Sequence, residues 1–334
     1  MGIRAAVCHE YGTPDVVVVE TVDAPDLEAG QVRIDAAVGA VNYPDVLLVA
    51  NQYQISAPTP FTPGSELAGV ICEVADDVTG IAVGDRVSAT MMVGAFAEQV
   101  VVPAASVAPI APNVDFVVAA AVGVAHRTSM HVLRSVARVQ PGEYVVVLGA
   151  GGGVGLAAVQ LATLFGATVI AVASSDEKLQ AAADAGAAHL VNYKTQTIRD
   201  EYKRIAPRGI DVVVDPVGGP LAEPTLRSMR WGGRYVTVGF ASQEVPKIPL
   251  NLVLLKGMTI HGFEFRAFTN NAPEEFARNE AELATLVASG KIVPLIGASF
   301  PLDRVVDALR LVGDGAAVGK VIIEIAPTTI LRPK

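Results

Sequence analysis

Charge of either sign is sparse in this chain. Only 18% of its 334 residues are Asp, Glu, Lys or Arg, and aromatic residues make up 5%. The charge present sums to −9, from 25 basic against 34 acidic side chains, and no basic run occurs anywhere. Nucleic acid and anionic membranes recruit proteins through basic stripes, so neither is expected as a partner. Cysteine is scarcer still. Cys8 and Cys72 are the only two, which gives no disulfide framework and no CxxC pair and suits a reducing, cytoplasmic setting. The first residues lack the long apolar core of a secretory segment, and Ala6 breaks a myristoylation pattern. Residues 145–175 carry no charge over 31 positions, which is long enough for a membrane span. The glycines inside that stretch favour another reading, a parallel sheet buried on both faces, whose strands read as continuous apolar runs.

What the chain does have is concentrated in that stretch. A β-branched strand (Val145, Val146, Val147, Leu148) runs into Gly149-Ala150-Gly151-Gly152-Gly153-Val154-Gly155. A helix-forming segment, Leu156 to Phe165, follows, and then a second strand from Thr168 to Val172. Strand, glycine turn, helix and strand is the context a dinucleotide fingerprint requires. Glycines let the backbone turn sharply and approach a pyrophosphate, whose charge then lies on the helix N-terminus.

A chain of this length is expected to form two domains. Its first 120 residues show short alternating segments, such as Val32, Ile34, Ala36 and Val38, separated by turn clusters at Pro25-Asp26 and Gly84-Asp85. That pattern predicts antiparallel β structure with one core face and one wet face. From about residue 122 the rhythm becomes strand and helix, with strands at Tyr144–Leu148, Thr168–Val172, His189–Asn192, Asp211–Asp215 and Arg234–Gly239. The alternation predicts an α/β fold with a doubly wound parallel sheet. A helix is expected from Pro273 to Ser289, stopped by Gly290, and a final strand at Gly319–Ile325. The expected division is 1–121 with 266–334 for the β-rich domain, and 122–265 for the nucleotide domain.

The acid that selects NAD belongs at the end of the second strand. Ala173 and Ser174 stand there instead, with Lys178 one turn on. Space, a hydroxyl and a cation suit a 2′-phosphate, so NADPH is the expected cofactor. Asp176 falls past the strand end, inside the helix start. Ser174 with Glu177 also fits a helix capping box, and Lys178 fits a solvated surface charge.

Together with Val41-Asn42-Tyr43-Pro44-Asp45, Pro63-Gly64-Ser65-Glu66-Leu67-Ala68-Gly69-Val70, Gly84-Asp85-Arg86-Val87 and Asp215-Pro216-Val217-Gly218-Gly219, these features resemble the zinc-independent branch of the medium-chain dehydrogenase/reductase superfamily. The likeness is strongest to NADPH:quinone oxidoreductases and covers nearly the whole chain. It implies a GroES-like catalytic domain, a Rossmann domain, an active site in the cleft between them, and a homodimer paired through the strand at Met258–His261.

The resemblance assigns the phosphate turn to Gly149, Gly152, Gly153, Val154 and Gly155, and the 2′-phosphate contacts to Ser174, Lys178 and Tyr193. Thr128 falls near the nicotinamide half, and Gly239 and Phe240 lie past a parallel strand, at the crevice where ligands bind. Asn42 and Tyr53 are expected nearest the substrate, as hydrogen-bond donor and proton donor, although Gln52 stands where the family usually has glycine. Phe263, Phe265, Phe268 and Arg266 line the substrate cleft on one reading and pack in the core on the other. Zinc-bearing relatives place cysteine at Asn42 and histidine at Ser65, and they carry a four-cysteine lobe missing here, so no metal is expected. Separately, His126 and His131 are five residues apart, which splays them by about 140° on a helix and prevents chelation.

The chemistry expected is reduction of a quinone or another activated carbonyl or alkene, with hydrogen bonds to the developing oxyanion supplied by the protein. An enoyl-thioester reductase is the alternative, weakened by the lack of a basic cluster for a CoA diphosphate. A non-catalytic NADPH-binding sensor is a third reading.

Overall fold

The computed structural model describes residues 2–325 and divides into two compact units. One unit runs to Val124 and resumes at Ile296, and the other is Ala125–Leu295. In the first, β1 (Gly2–Cys8) and β2 (Val17–Asp23) form an antiparallel ribbon. β3 (Gln31–Val41) is the spine of a larger sheet. It pairs antiparallel with β4 (Glu66–Val74) and β6 (Gln99–Pro103), while β5 (Arg86–Thr90) links β4 to β7 (Val107–Pro109).

The alternation in β3 holds at Val32, Ile34 and Ala36, which are buried while Asp35 is exposed. Past a register shift between Ala36 and Val38 both faces are covered, as expected where a bulge re-aims the strand. Ile34, Leu67, Ile71 and Phe96 fill the core. Two short helices, α1 (Tyr43–Val49) and α2 (Phe116–Val122), complete this part.

The second unit opens with α3 (Ala125–His131) and then alternates. β8 (Tyr144–Leu148), α4 (Gly153–Leu164), β9 (Thr168–Ala173), α5 (Asp176–Asp184), β10 (His189–Asn192) and α6 (Ile198–Ile205) form its first half. β11 (Ile210–Asp215), α7 (Ala222–Ser228), β12 (Met229–Thr237), α8 (Leu250–Lys256) and β13 (Thr259–Gly262) form the second. The strand order is β10-β9-β8-β11-β12-β13, every neighbour parallel. This is the doubly wound arrangement the strand and helix rhythm predicts, with the order reversing between β8 and β11, where ligands bind. All six residues of β11 are buried, Asp211 and Asp215 included, and Val212, Val213 and Val214 form its apolar run. The uncharged stretch 145–175 is β8, the glycine turn, α4 and β9. No single helix among the described residues is long and apolar enough to cross a membrane.

α9 (Phe265–Asn271) and α10 (Pro273–Ala288) follow. The return to the first unit falls at 295/296 and not at the expected 265/266. The reason is His131 on α3. Its ring lies among Phe263, Phe265, Phe268 and Phe276, with centroids 4.9–6.3 Å away. Its nitrogens lie 3.1 Å from Glu280 Oε1 and 3.1 Å from Asn279 Nδ2. These contacts hold α9 and α10 to α3, and they place the three expected cleft phenylalanines in a packed aromatic cluster, while Arg266 is exposed. The chain then adds β14 (Ile296–Pro301), α11 (Val305–Gly313) and β15 (Lys320–Glu324), which pairs antiparallel with β3.

Candidate functional site

The phosphate turn begins where β8 ends. Gly149 has φ +62°, a conformation that costs glycine little and other residues much. Gly152 caps α4, and Gly153, Val154 and Gly155 form its first turn. The helix therefore starts three residues before the expected Leu156, because the glycines serve as turn and helix at once. A side chain at Gly155 would place its Cβ 2.1 Å from Gly149 O, so strand end and helix start are in direct backbone contact. The unpaired N–H groups of that first turn are the standard binding groups for a pyrophosphate. Ser129 Oγ donates to Val154 O at 3.0 Å, fixing α3 beside the turn, and Thr128 is buried one residue away.

The ends of β9 and β10 bring together the residues expected at the adenine side. Tyr193 N–H donates to Ala173 O at 3.2 Å. The Lys178 stem lies against Gly151, where an added Cβ would sit 2.4 Å from Lys178 Cβ. Burial lowers the Lys178 pKa from its usual range. The predicted cap moves by one residue: Ser175 precedes α5 and its hydroxyl accepts from Lys178 N–H at 3.4 Å. Ser174 is thus left outside the helix, half-buried at the strand end. Asp176 opens α5, and its carboxylate accepts from Asn192 Nδ2 at 2.9 Å.

At the β11 end, sequence reasoning assigned Asp215 no role. Its side chain is buried and accepts from Val217 N–H and Gly218 N–H, both at 2.8 Å, and from the Tyr235 hydroxyl. Burial raises its pKa. These bonds hold the loop that borders the phosphate turn, since a Cβ on Gly149 would meet Val217 Cγ2 at 2.6 Å. Gly239 and Phe240 lie on the neighbouring loop beyond β12, and an added Cβ on Gly218 would sit 2.8 Å from the Phe240 ring.

In the first unit, Asn42 precedes α1 and Tyr53 follows it. Asn51, at φ +52°, makes the left-handed turn before Tyr53, so the glycine missing at Gln52 is not needed there. The Asn42 amide is engaged at both ends. Its Nδ2 donates to Glu66 Oε1 at 2.7 Å and to Ser65 Oγ at 3.3 Å, and its Oδ1 accepts from Lys320 Nζ at 2.7 Å. Lys320 also donates to Glu66 Oε1 at 2.7 Å and to Val41 O at 3.1 Å. Glu66 Oε2 accepts from Val124 N–H at 2.5 Å.

Asp45 accepts from Asn42 N–H at 2.7 Å through Oδ2, while its Oδ1 has no hydrogen-bond partner. Burial, reinforced by the Glu66 charge, pushes its pKa up to about 7. Lys320 carried a signal in the sequence, a lysine opening an apolar strand, because a buried ammonium requires a partner. Asn42 and Ser65, at the positions where zinc-bearing relatives have ligands, face an ion pair here. Among the described residues no three His, Cys, Asp or Glu side chains are grouped as a metal requires.

A GroES-like unit joined to a six-stranded Rossmann unit defines a dehydrogenase/reductase architecture. Family models agree: the alcohol dehydrogenase GroES-like domain matches residues 28–112, and the zinc-binding dehydrogenase model matches residues 153–284. Quinone oxidoreductase-like protein 2 of Mus musculus is 35% identical over 324 residues, covering 96% of this chain and 92% of that protein. A mycobacterial protein solved in complex with NADPH superposes with a TM-score of 0.90 at 29% identity, covering 97% of this chain and all of that one. Escherichia coli quinone oxidoreductase, also solved with NADPH, gives 0.87 at 25% identity over 97% of this chain and 99% of its own. The chain belongs to the quinone oxidoreductase-like group of the medium-chain dehydrogenase/reductase family and is an oxidoreductase.

Proposed function

We propose that this protein reduces quinones, or closely related activated carbonyls and alkenes, at the expense of NADPH and without a metal. The cofactor, when bound, supplies the reducing equivalents. The observation that carries the cofactor choice is the Asp176–Asn192 hydrogen bond. It engages Asp176, the acid just past the end of β9 that could compete for ribose hydroxyls, and Ser174, Lys178 and Tyr193 are the residues assigned to the 2′-phosphate. Gly149, Gly152, Gly153, Val154 and Gly155 hold the pyrophosphate, and Thr128, Gly239 and Phe240 flank the nicotinamide half. The quinone assignment is supported by the named relatives. Tyr53 is the proton donor to be tested. Asn42 acts through an orientation set by Lys320 and Glu66.

The protein is proposed to work as a cytoplasmic homodimer. Two observations support pairing at β13: it is an outer strand, with an edge that needs cover, and Trp231, Leu250, Leu254 and Leu255 are exposed on the segments before it.

The decisive measurement is a panel of quinones, enones and enoyl-CoA esters, followed by NADPH and NADH absorbance loss. NADPH is expected to bind at least about tenfold more tightly than NADH, a difference of about 1.4 kcal/mol. Lys178→Ala should erode that preference and leave NADH binding nearly unchanged. Equal affinities in the unmodified protein would sink the cofactor assignment, and turnover of enoyl-CoA with no quinone reduction would move the chain to enoyl reduction.

A further inference from the structure

No basic run exists in the sequence, yet the fold of the second unit gathers one in space. A cavity of about 550 Å³ lies between the ends of α6 and α7 and the starts of β11 and β12, with Lys256 of α8 beside it. Arg199, Lys203, Arg208, Arg227 and Lys256 line it, against a single carboxylate, Asp200. In a chain of net charge −9 such a concentration is unusual, and most of it is uncompensated. Arg227 pairs with Glu223 on its own helix, but no ion pair within 4 Å joins Arg199, Lys203 or Arg208 to any carboxylate among the described residues.

The cations are also placed against one another. Arg199 and Lys203 are four residues apart on α6, a spacing that sets like charges on one face and destabilises the helix. Lys256 is pinned in place, its ammonium donating to Arg227 O at 2.7 Å and Met229 O at 2.5 Å. Burial first and the Arg199 charge second lower the Lys256 pKa. A fold that holds several cations together, without carboxylates to relieve them, is suited to an anion from outside.

We propose that this cavity binds a diphosphate group, using Arg199, Lys203, Arg208 and Lys256 as its cationic walls. A multiply charged phosphate matches Arg199, Lys203 and Arg208, which have no carboxylate partner among the described residues, with the fixed Lys256 ammonium beside them, and guanidinium forks read its oxygens in pairs. The site is separate from the nucleotide turn. All strands of the sheet are parallel, the turn lies at the strand ends after Leu148, and this cavity lies at the strand starts near Ile210 and Met229. The ligand is therefore not the cofactor proposed above, and the inference does not depend on that cofactor's identity.

The test is calorimetric titration of the full-length protein with sodium pyrophosphate at low ionic strength, with and without saturating NADPH, against sodium chloride at matched ionic strength. Binding with a dissociation constant of about 1 mM or tighter is expected, unaffected by NADPH and weakened by added salt. The double variant Lys203→Ala/Arg208→Ala should weaken it at least about tenfold, roughly what losing two charge-assisted contacts implies. Both side chains are exposed, so the melting temperature without ligand should not move. A parallel titration with ADP distinguishes a nucleotide-borne diphosphate, which binds more tightly than pyrophosphate, from the free anion, which binds at least as well. The proposal is overturned if pyrophosphate binds no better than chloride, if the double variant binds it equally well, or if NADPH displaces it.

Discussion

Two buried carboxylates, one in each unit, are kept in the fold by opposite means. Glu66 is matched by a full opposite charge, the Lys320 ammonium, with the Asn42 amide and Val124 N–H completing its oxygens. Asp215 has no cation. Two backbone N–H groups and the Tyr235 hydroxyl satisfy it. Asp45, next to the first of these, has one backbone donor and an oxygen with none. The three form a series in which compensation falls from a paired charge to three dipoles to a backbone donor and the Ser65 hydroxyl, too little to offset burial. The series explains why Asp45 is pushed up to about 7. An ion pair is a strong solution only while both partners are present, whereas a set of neutral donors loses less when one is removed.

The largest effect should come from removing the cation. Lys320→Met strands Glu66 as a buried charge, and urea unfolding should show a loss of about 3–5 kcal/mol. Adding Glu66→Gln should recover much of it, because an amide there needs no counter-charge. A single variant that costs under about 1 kcal/mol would dissolve the distinction between the two carboxylates.

Tyr235→Phe should cost less, about 1.5–3 kcal/mol, the range for one hydrogen bond to a charged group. It should also loosen the loop after Asp215 beside the phosphate turn, seen as faster amide exchange at Val217 and Gly218. An unchanged exchange rate there would mean that the backbone donors alone hold the loop.

The third effect is a pH dependence. With its folded pKa raised above the ordinary value of 3.8, Asp45 favours the folded state most below about pH 4, where it is neutral in both states. That contribution is lost as pH rises to about 7 and is constant above. Asp45→Asn does not titrate, so its stability relative to the unmodified protein should rise from about pH 4 to 7 and then level off. A difference that stays flat across this range would show that Asp45 ionises normally when buried.

The Rossmann sheet was legible because its signals are local: a β-branched run, a glycine turn and an apolar helix appear in order along the sequence. The turn at Gly149 could be read for the same reason, whereas the assignments of Lys178 and Tyr193 rest on the family resemblance. The boundary near residue 295 was not legible. It depends on His131 meeting Phe265, Phe268 and Phe276, partners more than a hundred residues away. The basic cavity was hidden likewise, because Arg199, Arg227 and Lys256 are spread along the chain and only parallel strand starts bring them together. Even the one-residue error at Ser174 is physical, since Ser174 and Ser175 are equivalent as caps until the strand end is known. Lys320 is different. A lone lysine in Lys320-Val321-Ile322-Ile323 was visible evidence of a buried partner, and only the partner's identity required the fold.

Trp231 is the chain's single tryptophan, 78% exposed on β12, with its ring close over the backbone of Gly257, where an added Cβ would lie 2.8 Å from Nε1. That placement makes the protein's intrinsic fluorescence a local probe rather than a global one. Emission from an isolated subunit should be red-shifted, characteristic of an indole in water. If two copies meet along β13, dilution through the association equilibrium should shift the wavelength without any loss of secondary structure. Assembly can thus be followed by light from one ring, with no label attached.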